Sequence, residues 1–232
     1  MRAPGLSGMR RTREGTMDRQ RVAVVVALAL AGLAAPVTAS AGFVVGARVG
    51  WAFPFGELRN GVDLDSAVRG QIPLQVDLGW RFADRLMLGG YARLSPGVVG
   101  DNVEDACDAS SLDCDGPFGW AVGGQVDVRL APGNAGPWIG AFGGFEALTY
   151  GDVSEAVDTD SLELSYEGWE VGAQGGIDFA WGPIVIGPWA SVSWGRFTEI
   201  SAEIGGRDTD IPEWDEATHT WVQVGLRGAL DF

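Results

Sequence analysis

The stretch FVVGARVGWAF, residues 43–53, decides the fold class because its residues alternate between two chemical types. The odd positions from Phe43 to Phe53 are all apolar, whereas the even positions include Gly46, Arg48 and Gly50. A period of two residues with one continuous apolar face is typical of a β-strand that separates two different environments. The stretch therefore predicts a strand with one face in an apolar medium.

The same alternation recurs along the rest of the chain. It is clear in 72–82, 118–130, 169–181 and 220–232, and weaker near 86–94, 138–150 and 184–194, which gives eight strands. In 138–150, Glu146 falls on the apolar phase, so we expect either a bulge or an error of phase there.

Strand and connection lengths favour a membrane barrel. A tilted membrane strand needs about 9–11 residues, which the alternating stretches supply. Short connections at 83–85, 131–137 and 182–183 alternate with long ones at 54–71, 95–117, 151–167 and about 196–218. An even strand count with short turns on one side predicts an all-β fold, an eight-stranded antiparallel up-and-down transmembrane β-barrel.

The two strand faces differ in a way that favours the apolar face outside. The apolar face carries aromatic residues near strand ends, as membrane interfaces require: Trp51, Phe53, Trp80, Phe82, Phe118, Trp138, Trp169, Trp181 and Trp194. The other face predicts a lumen charge network of five arginines and five acids: Arg48, Arg81, Arg93, Arg129, Arg227, Asp77, Asp127, Glu170, Asp178 and Asp231. Equal numbers suit a closed interior, where an unpaired charge is costly. A soluble periplasmic lipid-binding barrel, with the apolar face inside, stays open as an alternative.

The first 41 residues have the three parts of a secretory signal peptide. Six arginines precede the apolar run from Val22 to Ala35, and the small residues Ala39-Ser40-Ala41 follow. The run is shorter than the roughly 20 residues of a membrane-spanning helix. We therefore expect a signal peptide at 1–41, with Met17 as an alternative start, and a barrel domain at 42–232.

The ending WVQVGLRGALDF, residues 221–232, resembles the terminal strand of bacterial outer-membrane proteins, with alternating apolar positions and a final Phe232. With eight strands, residues 42–232 resemble the small barrels of the outer-membrane protein A, X and W type. The resemblance implies a location in the bacterial outer membrane among lipid and lipopolysaccharide. It also implies that the barrel assembly machinery recognises the strand ending in Phe232.

Charge is concentrated in the long connections. The chain has a net charge of −15, and residues 42–232 hold 10 Arg and 29 Asp or Glu, which argues against a nucleic-acid partner. The four long connections contain 22 of those 29 acids. Divalent cations could bridge such a surface to lipopolysaccharide, with oxygen clusters at 101–105 and 208–210, although neither cluster has a calcium-loop spacing. We predict no cofactor and no specific metal site.

Two cysteines, Cys107 and Cys114, lie in one acidic connection. In an exported protein, this short spacing favours a disulfide that pins the connection. A metal site made by the two cysteines and neighbouring aspartates is the alternative.

His219, the only histidine, lies at the mouth of the last strand on the inward phase. Some barrels of this size modify lipids with a His, a Ser and an acid, and the deacylases among them carry a His-x-Ser step. Here the step is His219-Thr220-Trp221, without the serine nucleophile. The prediction is therefore a non-enzymatic outer-membrane barrel for envelope integrity or surface interaction. Weak passage of small solutes and a lipid-A-modifying enzyme using His219 remain alternatives.

Overall fold

The computed structural model describes residues 41–59, 61–100, 113–114, 116–131, 135–150, 153–154, 162–204, 207–210 and 217–232. All described residues belong to one compact unit. Residues 1–40 of the predicted signal peptide, which include the alternative start at Met17, lie outside the described residues, whereas Ala41 begins the first strand.

Eight long strands form one closed antiparallel ring. Each strand pairs with the next along the chain, and the last pairs with the first from Val44 opposite Asp231 to Gly56 opposite His219. The ring confirms the predicted eight-stranded antiparallel barrel. Its strands are β1 Ala41–Arg59, β2 Leu74–Phe82, β3 Leu86–Val99, β4 Phe118–Arg129, β5 Ala135–Tyr150, β6 Leu162–Trp181, β7 Ile184–Ile204 and β8 Ala217–Asp231.

Apolar side chains cover the outside of the ring. Leu226, Ile139 and Leu94 are each more than half exposed, whereas alternate residues on the same strands are buried. A soluble barrel would bury these side chains, because exposing so much contiguous apolar surface to water is unfavourable. The alternative of a soluble lipid-binding barrel is therefore wrong, since the apolar face is the outer face. Among the described residues, no helix is long and apolar enough to cross a membrane.

The strands extend further into the long connections than the alternation predicts. β1, β6 and β7 have 19, 20 and 21 residues, well above the roughly 9–11 that cross a bilayer. Their extra residues lie on the side of the long connections, where polar and acidic residues replace the apolar face. The predicted boundaries of those connections are therefore too wide, because hydrogen-bonded strand pairs continue beyond the apolar band.

The first long connection returns to the barrel as an apolar cap. Residues 62–71 contain a short strand at Val62–Asp63, a single helical turn, α1 at Leu64–Ala67, and a strand at Val68–Gln71 that pairs with β1 and β3. Leu64 and Val68 are completely buried. They pack with side chains of the barrel wall: Ala52, Leu58, Leu148, Tyr166, Phe197, Ile200 and Trp221. We call residues 62–71 the apolar cap.

The phase of β5 differs from the prediction. Its even positions face the lumen, so Trp138 is only 2 % exposed and does not belong to the outer aromatic girdle. Glu146 faces the lumen for the same reason. The register of β5 with β4 and β6 runs without a shift, which excludes a bulge at Glu146 and leaves the error of phase.

Candidate functional site

The interior of the barrel is a ladder of buried ion pairs and hydrogen bonds, with Arg48 at its centre. The Nε of Arg48 donates to Asp77 at 2.7 Å, and its two terminal nitrogens donate to Gln174 at 2.6 Å and Gln125 at 2.8 Å. Its guanidinium carbon lies 5.6 Å and 5.3 Å from the ring centroids of Trp138 and Trp189. The planar guanidinium is thus satisfied at its edge and covered by aromatic rings, as a buried arginine requires.

Glutamines link Arg48 to the neighbouring carboxylates. Gln75 and Gln125 donate to the same oxygen of Asp77, at 2.8 Å and 2.9 Å, and Gln174 donates to Asp127 at 2.6 Å. These glutamines come from β2, β4 and β6, one from each hairpin. An amide both donates and accepts, so it can connect two charged groups that do not touch.

Arg227, Arg129 and Arg81 bind acids towards the end of the short turns. Arg227 donates to Asp127 at 3.3 Å and lies 4.1 Å from the ring centroid of Trp138. Arg129 and Arg81 both donate to Asp231. Asp178 lies 3.7 Å from Arg129 and 3.8 Å from Arg227, beyond direct hydrogen-bond distance.

Arg93 pairs with Glu170 closer to the cap. The guanidinium donates at 2.8 Å, and the hydroxyl of Tyr91 donates to the same oxygen at 2.9 Å. Glu170 is completely buried. The ten residues proposed as a lumen charge network are therefore all inside the barrel, each within 4 Å of an opposite charge.

Glu146 and His219 form a buried pair inside the barrel, and the sequence analysis did not predict this pair. The Nε2 of His219 lies 2.7 Å from Oε1 of Glu146, and both side chains are buried. The imidazole stacks on Phe197, with ring centroids 4.1 Å apart and planes at 19°. Gly195, opposite His219, leaves the space that this pair fills, because a Cβ there would overlap both groups. The solitary acid in the apolar pattern of 138–150 was the signal that could have found the pair.

Including Glu146 changes the charge balance of the lumen. Five arginines now face six carboxyl groups, and His219 is the one remaining basic side chain among the described interior residues. A neutral interior therefore needs one proton shared between Glu146 and His219, because a net buried charge is costly.

A small void lies between Glu146 and Gln71 of the apolar cap. It has a volume of about 10 Å³, and the polar residues Gln71, Arg93, Ser95 and Glu146 are among those lining it. This is close to the smallest space that holds one water molecule. The interior at this level is packed with side chains, and the void is too small for a solute.

Phe232, the residue predicted as an assembly signal, lies at the end of the last strand. It is 72 % exposed on the outward side, and its amide donates to the carbonyl oxygen of Phe43 at 2.9 Å.

Only one of the two cysteines is described. Cys114 belongs to the two-residue strand Asp113–Cys114, which pairs with Val153–Ser154, whereas Cys107 lies outside the described residues. The predicted disulfide therefore stays a prediction.

The two oxygen clusters proposed for cations are only partly described. The cluster at 101–105 lies outside the described residues, and the one at 208–210 belongs to the short strand Arg207–Asp210 beside β7. In the described part of the chain, no group of three or more His, Cys, Asp or Glu side chains could hold a metal ion.

No protein-family model matches the chain, and no curated protein matches it. Solved structures are similar to it at low identity. Neisserial surface protein A has 12% identity and a TM-score of 0.48, with 81% of this chain and 97% of that chain covered. Outer membrane protein AlkL has 10% identity and a TM-score of 0.49, with 85% and 93% covered. A major outer membrane protein from Thermus thermophilus has 16% identity and a TM-score of 0.44, with 83% and 100% covered.

The closed ring of eight strands, apolar outside and polar inside, gives this chain the architecture of a small outer-membrane barrel.

Proposed function

We propose that the chain is a non-enzymatic integral barrel of the bacterial outer membrane, acting in envelope integrity or surface interaction through its acidic connections. The observation that carries the proposal is the filled lumen. Buried ion pairs occupy the interior, and the apolar cap closes it on the side of the long connections. An interior filled in this way suits an anchor better than a channel.

The lumen ladder supports the anchoring role because it fixes each strand to several others. Arg48 alone connects β1 with β2, β4 and β6. Such cross-links hold the ring in one register and fill the lumen at the level of Arg48 with protein side chains.

The acidic connections supply the surface that would act outside the membrane. They hold 22 of the 29 acids of residues 42–232, opposed only by Arg59, Arg69, Arg196 and Arg207. A surface of one charge sign repels the phosphates of lipopolysaccharide unless cations lie between them. Divalent cations and lipopolysaccharide are therefore the partners that the charge favours.

Assembly would depend on the last strand. In the finished barrel both edges of β8 are paired, one with β7 and the other with β1. The barrel assembly machinery could therefore bind β8 along an edge only before the ring closes. Phe232, exposed at the end of that strand, is the residue we assign to this recognition.

The position of His219 supports the non-enzymatic proposal over the lipid-A enzyme. Its side chain is buried inside the barrel, stacked on Phe197, so it does not face the lipid outside. Ser193 is the next inward residue beyond Gly195 on β7, but its hydroxyl has no hydrogen-bond partner among the described residues. The nucleophile and base of a hydrolase would need to be hydrogen-bonded and within reach of the substrate.

Three experiments test the proposal. In planar bilayers, the purified mature protein should produce no stable conductance steps, and reproducible open channels would favour solute passage instead. Mass spectrometry of lipid A from cells with and without the protein should give the same profile, and a lost or shifted acyl chain would establish the enzyme.

For the cation role, protease cleavage of the long connections should slow in Ca²⁺ and recover in chelator. Equal cleavage in both conditions would remove the cations from the proposal.

A further inference from the structure

The apolar cap places one buried polar side chain inside the barrel. Gln71 is the last residue of the cap and is only 5% exposed. The other polar residues of the cap are exposed or half-buried: Asp63, Asp65, Ser66 and Arg69. The side-chain amide of Gln71 makes no hydrogen bond with protein groups in the described part of the chain. A buried amide without any partner is rare in native proteins, so this side chain indicates a partner that is not a protein group.

Gln71 lines the void of about 10 Å³ together with three polar side chains of the barrel wall. Arg93 and Ser95 line the void from β3, and Glu146 lines it from β5. Each of these three residues is 6% exposed or less. Arg93 and Glu146 each use one terminal atom in the buried pairs described above, which leaves further N–H groups and the second carboxylate oxygen for another partner. Polar groups of four side chains therefore converge on one enclosed space.

The size and the charge of the void suit one water molecule. A volume of about 10 Å³ is close to that of one water-sized sphere, and a buried water needs about two to four polar partners. Arg93 and Glu146 line the same void with opposite charges, so either a cation or an anion would contact a group of its own sign. Water is neutral and both donates and accepts hydrogen bonds. It therefore serves a guanidinium, a carboxylate and an amide at the same time.

We propose that this void is a binding site for one ordered water, which connects Gln71 of the cap to the three polar side chains of the barrel wall. The water adds a polar connection to the apolar packing of the cap and to backbone hydrogen bonds such as that from Gly100 to Ala67. It also gives the second oxygen of Glu146 a partner, so the cap and the buried pair with His219 are joined through one molecule. The site does not depend on the role proposed for the acidic connections.

The side-chain amides of the glutamines measure this water directly. The mature protein, labelled with ¹⁵N-glutamine and folded in lipid nanodiscs, is examined for magnetisation transfer from water to each side-chain amide. We expect clear transfer to Gln71. Gln125 and Gln174 are internal controls that should show little transfer, because they are similarly buried and their amides donate to protein carboxylates. Transfer to Gln71 that is no greater than transfer to these two would overturn the proposal.

One added methyl group tests the position of the water. Gly119 also lines the void, and a Cβ there would lie 3.1 Å from Nε2 of Gln71 and 3.4 Å from Cβ of Ser95. In Gly119→Ala, transfer to Gln71 should therefore fall to the level of the internal controls. Gly124→Ala on the same strand is the matched control and should leave transfer unchanged, because a Cβ there has no atom nearer than 3.8 Å. Full transfer to Gln71 in Gly119→Ala would place its water elsewhere and overturn the site.

Loss of the water should also make the cap open more often. The amide of Gly100 donates to the carbonyl oxygen of Ala67 at 2.9 Å, so its hydrogen exchange measures opening of the cap. A net hydrogen bond changes an equilibrium constant by a factor of about two to ten, and exchange at Gly100 should accelerate by that factor in Gly119→Ala but not in Gly124→Ala. Unchanged or slower exchange would overturn the connection between the water and the cap. If Gly119→Ala does not fold, Ser95→Val adds methyl groups to the same void from β3, and both measurements apply to it.

Discussion

Removing the carboxyl group of Glu146 is the sharpest test of the interior. Glu146→Ala leaves His219 without its partner at 2.7 Å, inside a barrel where the two side chains are 5% and 0% exposed. Breaking a buried pair by deleting one member costs about 3–5 kcal/mol, because the remaining group stays buried without compensation. At 1.4 kcal/mol per factor of ten, that is a change of roughly a hundredfold to several thousandfold in the unfolding equilibrium.

Reversible urea unfolding in lipid vesicles, followed by tryptophan fluorescence, measures this loss. Glu167→Ala is the matched control, because Glu167 is an exposed acid of the neighbouring strand β6. It should change the free energy of unfolding by no more than about 0.5 kcal/mol. If Glu146→Ala costs no more than this control, the pair does not stabilise the barrel and the reasoning on lumen charge is wrong.

The double variant Glu146→Leu with His219→Phe removes both polar partners. It therefore distinguishes the cost of leaving one partner buried alone from the cost of removing the whole pair. Phenylalanine keeps the stacking on Phe197, and leucine removes the acid that needed a partner. Replacing a buried ion pair by apolar residues of similar size is often neutral or stabilising. We therefore expect the double variant to be more stable than Glu146→Ala. A double variant that is less stable would show that the polar pair itself is required.

Three further predictions concern the cap, the outer surface and the end of the chain. Leu64→Ala should lower the free energy of unfolding by about 2–5 kcal/mol in the same urea assay, since Leu64 is fully buried in the cap. A loss below about 0.5 kcal/mol would mean that the cap is not packed. Leu226→Arg, on the outward face, should cost up to about 2–4 kcal/mol in bilayers, and an unaffected stability would argue against lipid contact there. Deletion of Phe232 should reduce the amount of folded barrel in cells, scored by unboiled gel mobility, while refolding of the purified chain is preserved. Equal amounts in cells would remove Phe232 from recognition by the assembly machinery.

The fold was predictable because the strongest strands repeat a strict two-residue period. In 72–82, for example, Leu74, Val76 and Leu78 face outward, and Gln75 and Asp77 face inward, as the alternation indicates. Period and connection length are local properties, so a single sequence contains them. The same is true of the ten charged residues, whose inward phase follows from the strands that carry them.

The phase of β5 and the apolar cap were not predictable for two different reasons. β5 contains four glycines and aromatic residues on both phases, so its pattern defines neither face. The cap lies in 54–71, where acids flank Leu64 and Arg69 follows Val68, and such a stretch looks like a solvated connection. Both apolar residues become buried only because distant strands supply Leu148 and Phe197, and no local pattern encodes that contact.

The pairing of charges depends on the same long-range geometry. Arg48 bonds to Gln174, 126 positions away, and its choice of partners depends on the register of strands around the ring. Sequence reasoning could count charges on the inward face, and its count of five against five omitted Glu146 because the phase of β5 was wrong. With the phase corrected, the sixth carboxyl group lies next to the only histidine of the chain, 2.7 Å away. Glu146, the acid at an apolar position of the pattern, and His219, the only histidine, thus form one buried pair. Each is costly to bury alone, and pairing gives each of them a hydrogen-bond partner inside the lumen.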